Sequence, residues 1–185
     1  MTEPHLWARP LAPEFAEPFL KLMDRSECGG CYCMYWHFTG DDVAWTGSTG
    51  PEQRAAKLKR IAESGDTGMI LFEDQEPVGW CQFGPRKSFP KLEEKKQLPA
   101  ASDGLWCINC FMILPEKRRQ GYARALLAIS LEHLKNVGAK LVEAYPKPGN
   151  HEDGEVWTGP EKLFLDAGFS TATDASAPPV LRKRL

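Results

Sequence analysis

The most informative stretch of the chain is an apolar run that leads into a basic turn and then into a helix. The run, Trp106 to Leu114, lies between Gly104 and Pro115 and is too long and too apolar for an exposed turn. It therefore predicts a central strand that is buried on both faces. The helix after it is expected to end near Gly138. Its inward side chains are predicted to be Ala123, Leu126, Leu127, Leu131 and Leu134.

The turn between strand and helix, Arg118 to Ala123, has the composition of an anion site. The first N–H groups of a helix have no partner within the helix and lie at the positive end of its dipole. Gly121 lets the backbone approach an anion closely, and Ala123 keeps the first helical turn narrow. Positive charge around the glycine is supplied by Lys117, Arg118, Arg119 and Arg124. The turn predicts a pyrophosphate site, and the alternative is a solvated basic helix start.

Composition and missing motifs exclude several classes of function. The chain has 185 residues, 42% hydrophobic and 26% charged, which suits a single domain over 1–185. A net charge of −2 gives no field that would attract nucleic acid or an anionic membrane, so neither partner is expected. Neither G-x-x-x-x-G-K-[ST] nor G-x-G-x-x-G occurs, which disfavours nucleotide hydrolysis and dinucleotide redox chemistry. Without a membrane span or a secretory signal, the expected location is cytoplasmic.

The remaining elements surround the central strand. Leu6 to Leu11 predicts an edge strand, and Met69 to Phe72 with Val78 to Phe83 predicts an antiparallel hairpin. Leu141 to Tyr145 follows the helix and completes a strand-helix-strand unit, which predicts a parallel, right-handed pair. The polar, mixed-charge stretch from Pro85 to Gly104 predicts a long exposed loop. Further helices are expected around Phe15 to Met23, from Gly50 to Gly65 and from Pro160 to Asp166, and terminal strands around Phe169 to Thr173 and Val180 to Leu185.

These segments together resemble the GNAT superfamily of N-acetyltransferases. The apolar strand, Ile113-Leu114-Pro115-Glu116 and Arg118-x-x-Gly121-x-Ala123 look like its coenzyme A motif. Leu163 to Phe169 resembles its late helix, which ends in a Gly-Phe pair. The segment Cys31-Tyr32-Cys33-Met34-Tyr35-Trp36 is similar to that of one bacterial branch. The resemblance covers most of Leu6 to Leu185.

The resemblance implies a fold and a cosubstrate. The implied fold is a mixed α/β fold of the α+β kind, in which a central, mostly antiparallel sheet is splayed at a parallel strand pair, with helices on both faces. The cosubstrate is acetyl-CoA, and a backbone N–H near Ile113 would polarise its thioester carbonyl. The pantetheine arm would pair with the backbone of Phe111, Met112 and Ile113. The pyrophosphate would be held by Arg118, Arg119, Gln120, Gly121, Tyr122, Ala123 and Arg124.

The implied reaction is direct transfer of the acetyl group to an amine of a small molecule or peptide, and the alternative is a coenzyme A binding or sensing module without catalysis. An amine attacks only when neutral, so a general base is needed. Glu143 is the first candidate, and its alternative is a solvent-facing strand carboxylate. Many members carry a tyrosine as the acid where this chain has Phe164; Tyr145 could substitute, or could be a rim or core aromatic.

The segment before the second helix offers a metal site and a pocket wall as competing interpretations. Cys28, Cys31, Cys33 and His37 are zinc ligands by type, but no second, separated ligand pair exists, so no metal is expected. The segment Met34, Tyr35 and Trp36 is predicted to form a wall of the acceptor pocket, with core packing as the alternative. An exposed edge strand often forms a dimer seam, so a homodimer is a further hypothesis.

Overall fold

The structure is a computed structural model that describes residues 5–27, 30–64, 67–94, 98, 103–147, 149, 151–173 and 178–185. Its centre is a seven-stranded mixed sheet in the order β1-β2-β3-β4-β5-β7-β6. The strands are β1 (Leu6–Pro10), β2 (Gly68–Glu73), β3 (Glu76–Pro85), β4 (Leu105–Ile113), β5 (Leu141–Ala144), β6 (Ser170–Thr171) and β7 (Leu181–Arg184). The pair β4–β5 is parallel and the other pairs are antiparallel, as the fold expectation requires.

Helices cover both faces of the sheet and create two hydrophobic cores. One core contains Phe19 and Ile61 on one face, and the other contains Leu126 and Phe164 on the opposite face. The helices are α1 (Ala16–Asp24), α2 (Asp42–Thr46), α3 (Gly50–Ser64), α4 (Pro90–Glu93), α5 (Tyr122–Asn136) and α6 (Glu161–Asp166). Within the described part of the chain, none of them combines the length and apolarity that crossing a bilayer requires.

Strand β4 parts from β5 halfway along its length. The parallel pairing runs from Leu105 opposite Leu141 to Ile108 opposite Ala144 and then stops. On its other edge, β4 stays paired with β3, but the register shifts there so that Asn109 is passed over. Such a bulge bends a strand and increases its twist, which turns the second half of β4 away from β5. The sheet is therefore splayed at the parallel pair, as the resemblance implies.

The prediction of a long exposed loop from Pro85 to Gly104 is wrong for its first half. A 3-10 turn at Arg86–Ser88 leads into α4, and Phe89 and Leu92 are fully buried in the first core. These two apolar side chains are three residues apart and so share one face of a helical turn, a signal hidden by the surrounding charge. Residues 95–97 and 99–102 lie outside the described residues.

Candidate active site

The turn at the start of α5 has the geometry of an anion site. Gly121 caps the helix with φ of +89°, in the left-handed region that favours glycine, and its cap contains no side-chain hydrogen bond. A Cβ added at this position would meet nothing within 4 Å, so the space in front of the turn is open. The first N–H groups of α5 therefore point out of the helix start into this space, and the N-cap residue provides no side chain to cap them.

A cleft of about 440 Å³ opens at this turn and runs along the free half of β4. The predicted cofactor residues that line it are Phe111, Met112, Ile113, Arg118, Arg119, Gly121, Ala123 and Arg124, whereas Gln120 and Tyr122 do not. Residues that the sequence did not indicate also line it: Glu27, Gly154, Val156, Trp157, Pro160, Lys162, Leu163 and Asp166. They belong to the chain before the second helix, to the loop before α6 and to α6 itself.

The cleft carries net positive charge among its described residues. Arg118 pairs with Glu27, and Lys162 pairs with Asp166 at 2.9 Å, so these two carboxylates are balanced within the cleft. The guanidinium groups of Arg119 and Arg124 give the lining more positive than negative charge. Lys117, predicted as a further contributor of charge, instead pairs with Glu73 away from the cleft. The charge that faces the cleft is thus smaller than the sequence suggests, yet still suited to a diphosphate.

Glu73 also fixes the first residue of α5. The Tyr122 hydroxyl donates to this carboxylate beside Lys117, and the Tyr122 side chain is buried. The hydrogen bond to Glu73 raises the pKa of Tyr122 to about 12, while the bonds from Lys117 and Tyr122 hold the pKa of Glu73 below its usual value. Tyr122 therefore anchors the helix start to β2 and could contribute to anion binding only through its backbone.

The free edge of β4 presents backbone groups to the cleft. Leu114 N–H bonds to Val78 O on the β3 side, and strand backbones alternate direction, so Phe111 and Ile113 face the parted edge. Phe111 N–H donates to Trp157 O at 2.8 Å, and Arg118 Nε donates to Ile113 O at 3.0 Å. Two groups that a pantetheine arm would be expected to meet are therefore bonded within the chain.

Glu143, the predicted base, lies at the centre of a buried ion cluster. Its side chain is fully buried, so the alternative of a solvent-facing carboxylate is wrong. Arg182 Nε and Nη2 lie 2.7 and 2.6 Å from its Oε1, and Arg86 Nη1 lies 3.2 Å from its Oε2. The Tyr145 hydroxyl donates to the same Oε2 at 2.7 Å. Both oxygens are engaged by cations or a phenol, an arrangement that favours structural pairing over acceptance of a substrate proton.

Tyr145, the predicted acid, belongs to this cluster as well. Burial raises its pKa well above the ordinary value for a tyrosine, and the nearby Cys107 and Glu143 add to the shift. A phenol with a raised pKa keeps its proton at neutral pH. Phe164, which occupies the position of the usual tyrosine, is fully buried against Phe111 and Phe169 and has no proton to give. The roles of Glu143 and Tyr145 in catalysis stay predictions.

A second cavity of about 330 Å³ adjoins the first. Both cavities are lined by Trp157, so the two meet at this side chain. Of the predicted acceptor wall, Trp36 lines this cavity and packs on Trp157 with ring centroids 5.5 Å apart. Tyr35 meets Trp157 edge-on at 5.9 Å but lies behind this lining, and Met34 packs on the first core. The aromatic segment is thus part pocket wall and part core, which combines the two interpretations.

The cysteines pack between the same elements. Cys33 Sγ lies 2.9 Å from Cys110 Sγ, and burial raises the pKa of Cys31 to about 11. Among the described residues, no three metal-ligating side chains are grouped closely enough to hold an ion. Cys28, named as a zinc ligand by type, lies outside the described residues.

Comparison with known protein families gives a match. The chain matches the Acetyltransferase (GNAT) family over residues 31–156, more than half of its length. No curated protein sequence matches it.

Solved structures share its fold. An acetyltransferase from Thermus thermophilus is 18% identical, with full coverage of both chains and a TM-score of 0.59. The PaiA N-acetyltransferase of Thermoplasma acidophilum, in complex with coenzyme A, is 16% identical, with 98% of this chain and 99% of that chain covered and a TM-score of 0.57. A GNAT family N-acetyltransferase of Escherichia coli, in complex with CoA, is 15% identical, with 100% and 83% covered and a TM-score of 0.59. At these identities the likeness shows a shared fold, and with the match over residues 31–156 it follows that the chain belongs to the Acetyltransferase (GNAT) family.

Proposed function

We propose that this protein binds acetyl-CoA in the cleft at Gly121 and transfers the acetyl group directly to an amine held in the second cavity. The observation that carries the proposal is the uncapped start of α5, which opens on a cationic cleft beside the parted edge of β4 in a chain of this family. Solved relatives with 98% and 100% coverage of this chain contain coenzyme A. Both supports point to the same ligand.

The cofactor would lie along the cleft with its diphosphate at the turn. Helix N–H groups, Arg119 and Arg124 would meet the phosphates, and the pantetheine arm would follow Phe111 to Ile113. Because Trp157 O already accepts the Phe111 N–H, the arm would either displace this carbonyl or run beside it. The thioester would then come to lie near Trp157, where the first cavity meets the second.

The acceptor must lose a proton at some stage of the transfer. Glu143 is the base that the sequence predicts, but the two guanidinium groups and the phenol on its oxygens support a different role. We propose that Glu143 positions Tyr145 at the mouth of the second cavity. In that case the small neutral fraction of the amine would be the form that attacks, and its proton would pass to water.

The second candidate is a coenzyme A sensor without catalysis. It is favoured by two observations, the phenylalanine at position 164 and the engagement of both candidate catalytic side chains. A sensor and an enzyme make the same prediction for cofactor binding and opposite predictions for turnover. A homodimer and a cytoplasmic location stay predictions under either candidate.

The test of cofactor binding is the pair Gly121→Glu and Gly138→Glu. Both glycines flank α5, have φ near +90° and would place a Cβ in open space, so the two changes strain the backbone similarly. Only Gly121→Glu sets a carboxylate against the bound diphosphate. Calorimetry with acetyl-CoA is expected to show about 100-fold weaker binding for Gly121→Glu, about 2.7 kcal/mol, and little change for Gly138→Glu. Equal affinity in the two variants would count against the proposed site.

Turnover separates the enzyme from the sensor. Release of the coenzyme A thiol is followed with a panel of primary amines, and the rate is compared with spontaneous hydrolysis of the thioester. An enzyme exceeds that rate with at least one amine and loses the excess in Gly121→Glu. Tight acetyl-CoA binding with no excess rate for any amine would favour the sensor.

A further inference from the structure

The lining of the second cavity carries information about the acceptor. We propose, on the basis of the function proposed above, that the cavity takes a single primary amine attached to an aromatic or apolar group, and that it disfavours polycationic amines. The cavity shares Trp157 with the cofactor cleft. An acceptor that occupies it would have its amine end directed past Trp157.

Flat apolar surfaces dominate this lining. Trp36, Trp157 and Tyr145 supply aromatic surface, and Pro179 and Val180 add further apolar surface. Aromatic rings pack well on such surfaces in stacked or edge-on geometry. A volume of about 330 Å³ lies at the small end of the range for ligand pockets and suits one ring with a short chain.

Charge also separates the two classes of acceptor. Among the described residues that line the cavity, the one ionised group is the exposed Lys147, and none is a carboxylate. A polyamine would bring a second ammonium group into this lining, where it would meet a like charge and lose water without gaining a partner. An amine such as 2-phenylethylamine brings only one nitrogen, the one that reacts.

The test compares 2-phenylethylamine with spermidine. Each amine is titrated by calorimetry into protein saturated with coenzyme A, and each is assayed with acetyl-CoA by thiol release. Affinity and kcat/KM are each expected to be at least about tenfold higher for 2-phenylethylamine than for spermidine. Equal or stronger binding of spermidine would overturn the acceptor class. Binding of 2-phenylethylamine without turnover would leave the acceptor class standing and instead contradict the proposed transfer.

Two tryptophan variants make the comparison sharper. Trp157→Ala removes the aromatic ring that both cavities share. It is expected to lower the preference for 2-phenylethylamine over spermidine about tenfold. Trp45→Ala is the matched control, because Trp45 packs on Tyr35 and Phe38 in the same aromatic group without lining the cavity. Its preference should equal that of the parent protein. A Trp157→Ala variant that keeps the full preference would contradict the assignment.

Discussion

Two regions of this protein use the same side-chain types for opposite purposes. At the start of α5, arginines and helix N–H groups surround a cleft, and the described lining has more guanidinium than carboxylate charge. Around Glu143, two arginines and a tyrosine close on one fully buried carboxylate. The first region lines an open cleft with more cationic than anionic groups, whereas the second is closed around its carboxylate. A cluster of charged residues thus indicates a ligand site where it lines a cleft with an excess of one charge.

The largest expected effect comes from opening the closed region. Glu143→Gln removes the carboxylate and leaves the buried Arg86 with Glu93 as its other ion-pair partner. Loss of one member of a buried pair typically costs about 3 kcal/mol or more, and urea denaturation should show a loss of this size. Glu132→Gln, on the exposed face of α5, is the control and should be neutral. Unchanged stability with abolished turnover would instead restore Glu143 as the base.

The second effect tests the open region. Arg124 is exposed and lines the cleft, so Arg124→Gln should weaken acetyl-CoA binding about tenfold without loss of folding stability. The difference from the parent should shrink as salt is added, because the group is exposed to screening. Calorimetry at low and high salt measures the affinity for acetyl-CoA and its dependence on salt. Arg184→Gln, exposed on β7 and outside the cleft lining, should bind like the parent.

The third prediction places an intermediate case between the two regions. Lys117 and Tyr122 hold the pKa of Glu73 below its ordinary value of 4.5, so the carboxylate is stabilised in the folded state. This contribution is present above the unfolded pKa and is lost as pH falls through the lower, folded pKa. Glu73→Gln should lower the free energy of unfolding by up to about 1 kcal/mol at neutral pH and by progressively less below pH 4.5. A parallel loss at all pH values would contradict the assigned cause.

The smallest effect is expected at the surface. Lys21 and Glu76 form an ion pair at 2.6 Å, but both side chains are more than half exposed. Lys21→Met should change the denaturation midpoint far less than Glu143→Gln does, because solvent and salt screen an exposed pair. Comparison of the two midpoints checks that burial, and not ion pairing alone, sets how much each pair stabilises the fold. A loss of stability in Lys21→Met as large as that in Glu143→Gln would contradict this ranking.

Much of the fold was accessible from local sequence signals. The apolar run of β4, the hairpin β2–β3 and the amphipathic α5 are each specified by residues close to one another in the chain, and the structure confirms them. The buried turn at Phe89 was missed because its two apolar residues are embedded in a charged stretch. The loop before α6 contacts β4 through Trp157 O, and this contact had no signal in the sequence.

The sequence by itself determined the basic turn at the start of α5, since its glycine, its arginines and the first N–H groups of the helix all lie within a few consecutive residues. Tertiary structure alone decided that Glu143 is buried and ion-paired. Arg182 lies 39 positions away and reaches it because β5 and β7 pair in register, and Arg86 lies 57 positions away and reaches it from the turn after β3. The sequence shows which side chains carry charge. Whether such a charge has an ion-pair partner depends on distances that only the folded sheet sets.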